Sequence, residues 1–291
     1  MDILVLGGTR FFGVPMVESL LARGHRVALA TRGRTPDGFG DRVARLKLDR
    51  LDEASICAAL ADRRFDVAVD KIAYCSNDVK KLLPHLRCGR YILMSSAAVY
   101  APLRADTPEA DFDAGRYPLN WCDRPDFDYG KIKRQAECAL CQAFPDQPAV
   151  RVRYPVVLGE RDYTGRLRFY AEHILRGIPM YIDDMDARIG FIGAREAGEF
   201  LAFLAEADRT GAVNGQAEGD ISPAEIVRHI ERRTGRRAIL TPAGDPAPYN
   251  GYPPAATLST ERAASWGYTF SRLRDWIFDL IDSDLERLAA R

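Results

Sequence analysis

The first half of the chain alternates short apolar runs with amphipathic stretches of helical period. These predict strands over 2–6, 26–31, 43–48, 66–73, 90–95 and 149–154, with helices over 12–23, 53–62, 77–87 and 128–143 between them. Ile3-Leu4-Val5-Leu6 and Tyr91-Ile92-Leu93-Met94 are apolar at every position. A strand with one wet face would alternate, so such runs belong in a parallel sheet covered on both sides. Strands and helices in strict succession give the fold class: α/β, with a doubly wound parallel sheet.

After about residue 154 the regularity loosens. Helices are expected over 165–176, 195–207, 223–234 and 272–288, with short strands over 180–182 and 211–214. Ser222-Pro223 is a helix-start signal. Residues 241–257 are rich in proline with almost no periodicity and read as a loop.

Composition narrows the function classes. With 291 residues, 47% of them hydrophobic, the chain can bury a full core. Its 41 basic and 41 acidic residues cancel, so no long-range field gathers nucleic acid or an anionic membrane. No apolar run has membrane-span length, and the first residues pass straight into a strand, so neither a membrane anchor nor a signal peptide is expected. Six cysteines are scattered without disulfide-framework or zinc spacing. Cys138 and Cys141 fall inside a helix rather than at its N-terminus, where a thiolate would be stabilised. The expected setting is a reducing cytoplasm, and no metal is expected.

The first strand runs into Gly7-Gly8-Thr9-Arg10-Phe11-Phe12-Gly13 and then a helix. A helix N-terminus offers unpaired N–H groups and partial positive charge, and strand–glycine turn–helix units use it to hold a dinucleotide pyrophosphate. A second strand follows at βαβ spacing. Residues 1–154 are therefore expected to be a Rossmann dinucleotide-binding domain. Residues 155–291 are expected to be mostly a smaller C-terminal substrate-binding domain, with 190–214 returning to the first.

The fifth strand ends in Ser95-Ser96-Ala97-Ala98-Val99-Tyr100, and 33 positions after Ser96 comes Tyr129-Gly130-Lys131-Ile132-Lys133. Residues i and i+4 share a helix face, so a lysine ammonium can sit beside a phenol. An unperturbed phenol titrates near pH 10, and a fixed cation is expected to lower it. A serine hydroxyl can then hold the reacting oxygen while the phenol moves the proton.

These stretches, with Arg153-Tyr154-Pro155-Val156-Val157-Leu158-Gly159 and the helix start at Gly190-Phe191-Ile192-Gly193, resemble the short-chain dehydrogenase/reductase superfamily. More narrowly they resemble its extended and atypical branch of NAD-dependent epimerase/dehydratase type. The resemblance implies that Ser96 orients a carbonyl, Tyr129 is the acid/base and Lys133 holds the nicotinamide ribose. It implies a cofactor site of Gly7, Thr9, Arg10, Phe11, Phe12 and Gly13, with Asp49 on the adenine side and Ala73, closing the fourth strand, and Tyr154 along the cofactor.

The departures from the family pattern are informative. Arg10 replaces the middle glycine of the turn, and the second strand ends Thr31-Arg32-Gly33-Arg34 without a carboxylate for a ribose 2′-OH. An arginine there pairs with a 2′-phosphate, which favours NADP(H), with NAD as the alternative if Arg32 merely stacks on adenine. Ala97 and Ala98 follow Ser96 where 4,6-dehydratases carry an acid pair, and Val156 stands where sugar-nucleotide epimerases carry asparagine. Arg161 and Arg166 are the expected substrate anchors; His173 is left as a packed helix residue. The acidic stretch between Ser96 and Tyr129 is expected to be a flexible flap. The expected function is NAD(P)-dependent reduction of a ketone, or epimerisation of a sugar-like alcohol through a keto intermediate, with a small carbonyl or sugar-like substrate as partner. A homodimer through helices 77–87 and 128–143 stays open. The alternative is a non-catalytic dinucleotide-binding protein, regulatory or RNA-associated, for which the neutral charge supplies few phosphate contacts.

Overall fold

The computed structural model describes residues 1–160 and 162–290. Thirteen strands run in chain order: β1 (Asp2–Leu6), β2 (Arg26–Thr31), β3 (Val43–Lys47), β4 (Phe65–Asp70), β5 (Cys88–Met94), β6 (Ala149–Arg153), β7 (Val156–Leu158), β8 (Met180–Tyr181), β9 (Arg188–Ile189), β10 (Phe191–Gly193), β11 (Gly211–Asn214), β12 (Asp245–Pro246) and β13 (Ala255–Ala256). Among the described residues nine α-helices accompany them: α1 (Gly13–Ala22), α2 (Glu53–Leu60), α3 (Ser76–Leu82), α4 (Tyr129–Ala143), α5 (Arg166–Arg176), α6 (Ala194–Glu206), α7 (Pro223–Thr234), α8 (Glu261–Ser265) and α9 (Ile277–Ala289).

Seven strands form one parallel sheet in the order β11-β6-β5-β4-β1-β2-β3. Alternate residues of β1 feed the two opposite cores. Ile3 and Val5 pack with Met16, Val17 and Leu20 of α1 and Phe200 and Leu201 of α6. Leu4 and Leu6 pack with Ile56 of α2, Val79 of α3 and Ala139 and Leu140 of α4. Helices thus cover both faces, which is why β1 could be apolar throughout. β11 joins the edge beside β6 and α6 lies against α1, whereas β10 pairs with β7 in a separate two-stranded sheet. Around the seven-stranded layer, α5, α7 and α9 bury Leu167, Ile174, Ile226, Ile230, Ile277 and Ile281 in a separate core. No helix among the described residues is long and apolar enough to cross a membrane.

Several expected boundaries move, each for a local reason. The fourth strand stops at Asp70 instead of 73, because the Asp70 carboxylate accepts the Ile72 N–H at 3.0 Å and turns the chain. Ala73 therefore lies in a loop. The helix expected over 77–87 ends at Leu82 and gives way to a 3₁₀ turn carrying Pro84, which has no N–H to continue it. In 241–257, β12 and β13 pair in parallel with β8 and β9. The expected flap is the largest revision: residues 101–128 are packed down. Glu109, Phe112, Ala114 and Cys122 are buried, and Gln142 and Gln135 of α4 donate to the Ala114, Tyr117 and Pro118 carbonyls. Much of the outer face of α4, considered above for dimerisation, is thereby covered by its own chain.

Underneath, Arg153 and Glu137, both fully buried, form a two-bond ion pair at 2.9 and 2.7 Å. Arg153 also donates to Tyr100 Oη and to the Glu109 and Phe112 carbonyls. One buried guanidinium thus ties β6, α4 and the covering segment together.

Candidate active site

Strand order by itself lines up the candidate residues. Along the carboxyl edge, β2 leads to Arg32, β1 to the glycine turn, β4 to Lys71, β5 to Ser96 and β6 to Tyr154. Neighbouring strands lie about 4.8 Å apart, so these exits form a row, with the order of strands reversing between β1 and β4. Ligands of open α/β sheets bind at such switch points.

The turn demands its glycines. Gly7 has φ +91°, and a Cβ there would stand 2.5 Å from Ile72 Cγ2; one on Gly13 would meet Gly7 O at 2.8 Å. The left-handed residue that follows is Phe11, φ 52°, where a side chain adds strain. No side chain caps α1, and its first turn holds no acid. An uncapped helix N-terminus behind a turn that admits no Cβ fits a dinucleotide phosphate. Arg10 is exposed at the turn. Arg32 and Arg34 are exposed beyond β2, and among the described residues no carboxylate pairs with either.

Ser96 and Tyr129 are brought together by a close approach. Asp128 caps α4 by accepting the Lys131 N–H at 2.9 Å, which makes Tyr129 the first helical residue. Gly130 lets that end of α4 touch the serine turn, since a Cβ would lie 2.6 Å from Ala98 O. Ser96 Oγ accepts the Ala98 N–H at 3.2 Å. Tyr129 stays 47% exposed at the mouth of the cleft. The cleft walls raise its pKa above the ordinary phenol value, against the downward pull of the Ser96 hydroxyl. This revises the expectation that Lys133 holds the phenol down. Lys133 Nζ lies 5.9 Å from the Tyr129 ring centroid and donates to Ala73 O at 2.8 Å and Met94 O at 2.9 Å. Lys133 is fully buried, and desolvation lowers its pKa to about 7 even though Asp70 and Asp78 favour its charge.

A cleft of about 470 Å³ joins Phe11, Phe12, Ser96, Tyr129, Tyr154 and Arg166. A larger groove of about 1,090 Å³ between α1, α6 and α9 meets it only at Phe11 and holds none of the candidate catalytic side chains. Tyr154 presents its ring to Phe12 but donates its hydroxyl to Ala197 O at 2.7 Å, so that group is committed to α6. Arg166 opens α5, donates to Thr164 Oγ1 at 3.1 Å and has no carboxylate within 4.0 Å among the described residues. Arg161 lies outside the described residues. Asp49 is half-buried beyond β3, where its carboxylate accepts the Leu51 N–H. His173 is tied to Phe169 O and Asp245, away from the cleft.

Sequence reasoning missed Lys71, Tyr74 and Arg124. Tyr74 lies in the cleft wall, edge-on to Tyr129 at 6.4 Å, with Arg124 4.4 Å and Lys133 Nζ 4.7 Å from its ring centre. Arg124 comes from the covering segment and donates to Asp78 and Ile72 O. A signal existed in Asp70-Lys71, a charged pair where an apolar strand ends at the carboxyl edge.

Over residues 3–81 the chain matches the NAD dependent epimerase/dehydratase family. It is 34% identical over 127 residues to the chloroplast stem-loop binding protein of 41 kDa b of Arabidopsis thaliana, across 38% of this chain and 33% of that one. It is 29% identical over 220 residues to 2′-dehydrokanamycin reductase of Streptomyces kanamyceticus, across 72% and 60% respectively. The chain thus spans a third of one of these curated relatives and 60% of the other. The structure of UDP-glucuronic acid 4-epimerase from Bacillus cereus, with UDP-glucuronic acid and NAD, superposes with a TM-score of 0.73 at 17% identity, covering 100% of this chain and 99% of that one. That likeness is one of fold. The seven-stranded parallel sheet gives the whole chain the fold of that structure, and residues 3–81, which hold the glycine turn, carry the likeness to the epimerase/dehydratase family.

Proposed function

We propose that this protein is a nicotinamide-dinucleotide-dependent reductase of a ketone on a small, sugar-like molecule, with NADP(H) as its cofactor. The observation that carries the reading is one cleft in which the glycine turn, Ser96 and Tyr129 meet, with Lys133 buried behind them. When bound, the nicotinamide supplies the hydride. Tyr129 gives its proton to the carbonyl oxygen, Ser96 hydrogen-bonds that oxygen, and Lys133 holds the ribose. A raised phenol pKa keeps Tyr129 protonated at neutral pH, as a proton donor in reduction must be. Arg32 and Arg34, exposed and without a carboxylate partner among the described residues, support a 2′-phosphate.

The substrate class follows from charge and size. Among the described residues, the cations lining the cleft are Lys71, beside the glycine turn, and Arg166, at the start of α5. Arg166 remains as an anchor for one anionic or carbonyl group. The cleft sits near the small end of the ~300–1,000 Å³ usual for small-molecule sites, and cofactor and substrate share it. The relative named 2′-dehydrokanamycin reductase supports the reductase reading.

The test is NADPH consumption against a panel of keto-sugars and their nucleotide-linked counterparts, with Tyr129→Phe beside wild type. Loss of the acid should lower kcat ~10²- to 10⁴-fold and leave NADPH affinity nearly unchanged. A Tyr129→Phe protein with ordinary turnover removes Tyr129 from the chemistry, and cofactor that stays bound and is never consumed points to epimerisation. The likeness to a stem-loop binding protein favours one second reading, a dinucleotide-binding protein that associates with RNA. Stem-loop affinity with no turnover on any ketone would select it.

A further inference from the structure

Lys71 is the first residue beyond β4. The sheet places that exit between the glycine turn after β1 and the serine after β5. Its ammonium turns toward the turn: Nζ donates to Arg10 O at 3.3 Å and lies 4.1 Å from the Phe12 ring centroid. It lines the same cleft as Phe11, Ser96 and Tyr129.

What sets this lysine apart is the lack of a counter-charge. Among the described residues no carboxylate comes within 4.0 Å of it, whereas three arginines nearby are ion-paired. Arg50 has Asp70, Arg124 has Asp78 and Arg153 has Glu137, while Lys133 has two carbonyl oxygens. An ammonium has three donors, and one long bond to Arg10 O with a ring face leaves capacity unspent. Burial is sufficient to lower the Lys71 pKa to about 8. A desolvated cation without an anion is costly. Here it stands beside an uncapped helix N-terminus and a turn in which Gly7 and Gly13 admit no Cβ.

We propose that Lys71 binds the pyrophosphate of the nicotinamide dinucleotide, acting alongside the N-terminal amides of α1. This rests on the dinucleotide reading above and assigns a different group from Arg32, which faces the 2′-phosphate corner. The two make separable claims: pyrophosphate is common to NADH and NADPH, and the 2′-phosphate is not.

The experiment titrates wild type, Lys71→Met, Lys71→Arg and Arg32→Asp with NADH and NADPH by fluorescence, at several salt concentrations. Loss of one charge-assisted contact should weaken both dinucleotides by the same factor in Lys71→Met, about tenfold. The salt dependence should become shallower, because one ionic contact is gone. Lys71→Arg keeps the charge and should keep most of the affinity. Arg32→Asp should weaken NADPH alone. A Lys71→Met protein that melts like wild type and binds both dinucleotides as tightly would overturn the proposal. So would a Lys71→Met protein in which only the KM of the ketone rises, since the lysine then serves the substrate. Should Lys71→Met fail to fold, Lys71→Gln and Lys71→Arg decide it, and equal affinities in those two refute a charge contact. If wild type binds neither dinucleotide, the cofactor reading falls and this one with it.

Discussion

Lys133→Met should uncouple stability from pH as well as impair cofactor binding. In the folded chain Lys133 is fully buried, and its pKa falls to about 7 from the ordinary 10.5. Below pH 7 both folded and unfolded chains hold the proton, and the folded state bears the whole cost of burying it. Between pH 7 and 10.5 the unfolded chain binds a proton that the folded chain releases, so stability rises with pH across that window. One pKa unit is worth ~1.4 kcal/mol; from pH 7 to 9 the lysine therefore adds ~2–3 kcal/mol of stability. Methionine binds no proton and lacks this gain. It also leaves the Ala73 and Met94 carbonyls without their donor, a pH-independent cost of ~1–3 kcal/mol each. The variant should thus compare best with wild type near pH 6.5 and fall behind as pH rises. Urea unfolding of both chains from pH 6.5 to 9, without cofactor, measures the difference. Lys71, and the half-buried Cys88 and buried Cys138 thiols, both of which are pushed up to about 12, titrate alike in both chains and cancel. Two parallel stability curves would refute the argument, because Lys133 would then titrate like a solvated lysine.

Two further substitutions probe the corner and the core. Arg32→Asp removes the exposed cation after β2 and offers a carboxylate to a 2′-OH; NADPH should bind ~10- to 150-fold more weakly, with preference passing to NADH in paired titrations at one salt concentration. Equal affinities in wild type, unchanged by the substitution, would make Arg32 an adenine stacker. Arg153→Met leaves Glu137 fully buried, with Arg151 at 3.2 Å as its remaining ion-pair partner among the described residues, and should cost ~3–5 kcal/mol in urea unfolding. Residues 101–128 should become more susceptible to protease, since three of the lost bonds hold or reach that segment. A loss below ~1 kcal/mol would mean that the network adds little to the hydrophobic core.

How much of the site could be read in advance depended on the range of the interactions involved. Ile3–Leu6 declared a strand buried on both faces because every side chain in it is apolar. Gly7 and Gly13 declared a phosphate turn because backbone geometry there excludes a Cβ. Tyr129 and Lys133 share a helix face because four residues is about one turn. Each of these is a relation among near neighbours, and the sheet order then follows from how parallel strands must connect. The acidity of 101–128 misled for the opposite reason. Those acids read as a solvated loop, yet Glu109 is buried because Asn214 and Arg262, more than a hundred positions away, approach its carboxylate.

The protonation of the site is equally a product of the tertiary structure. Lys133 carries the same sequence signature whether its pKa is 10.5 or about 7; the loop at Ala73, the strand end at Met94 and the depth of burial decide which. Lys71 was read as part of a strand until the Asp70 carboxylate turned the chain at Ile72 and freed its side chain to reach Arg10 O. By itself the sequence determined the parallel sheet and the glycine turn and singled out the groups proposed to react, because periodicity and steric exclusion act over a few residues. The tertiary structure decided which charges are paired, which are bare and which proton is held, because desolvation and ion pairing depend on segments that meet only in the folded chain.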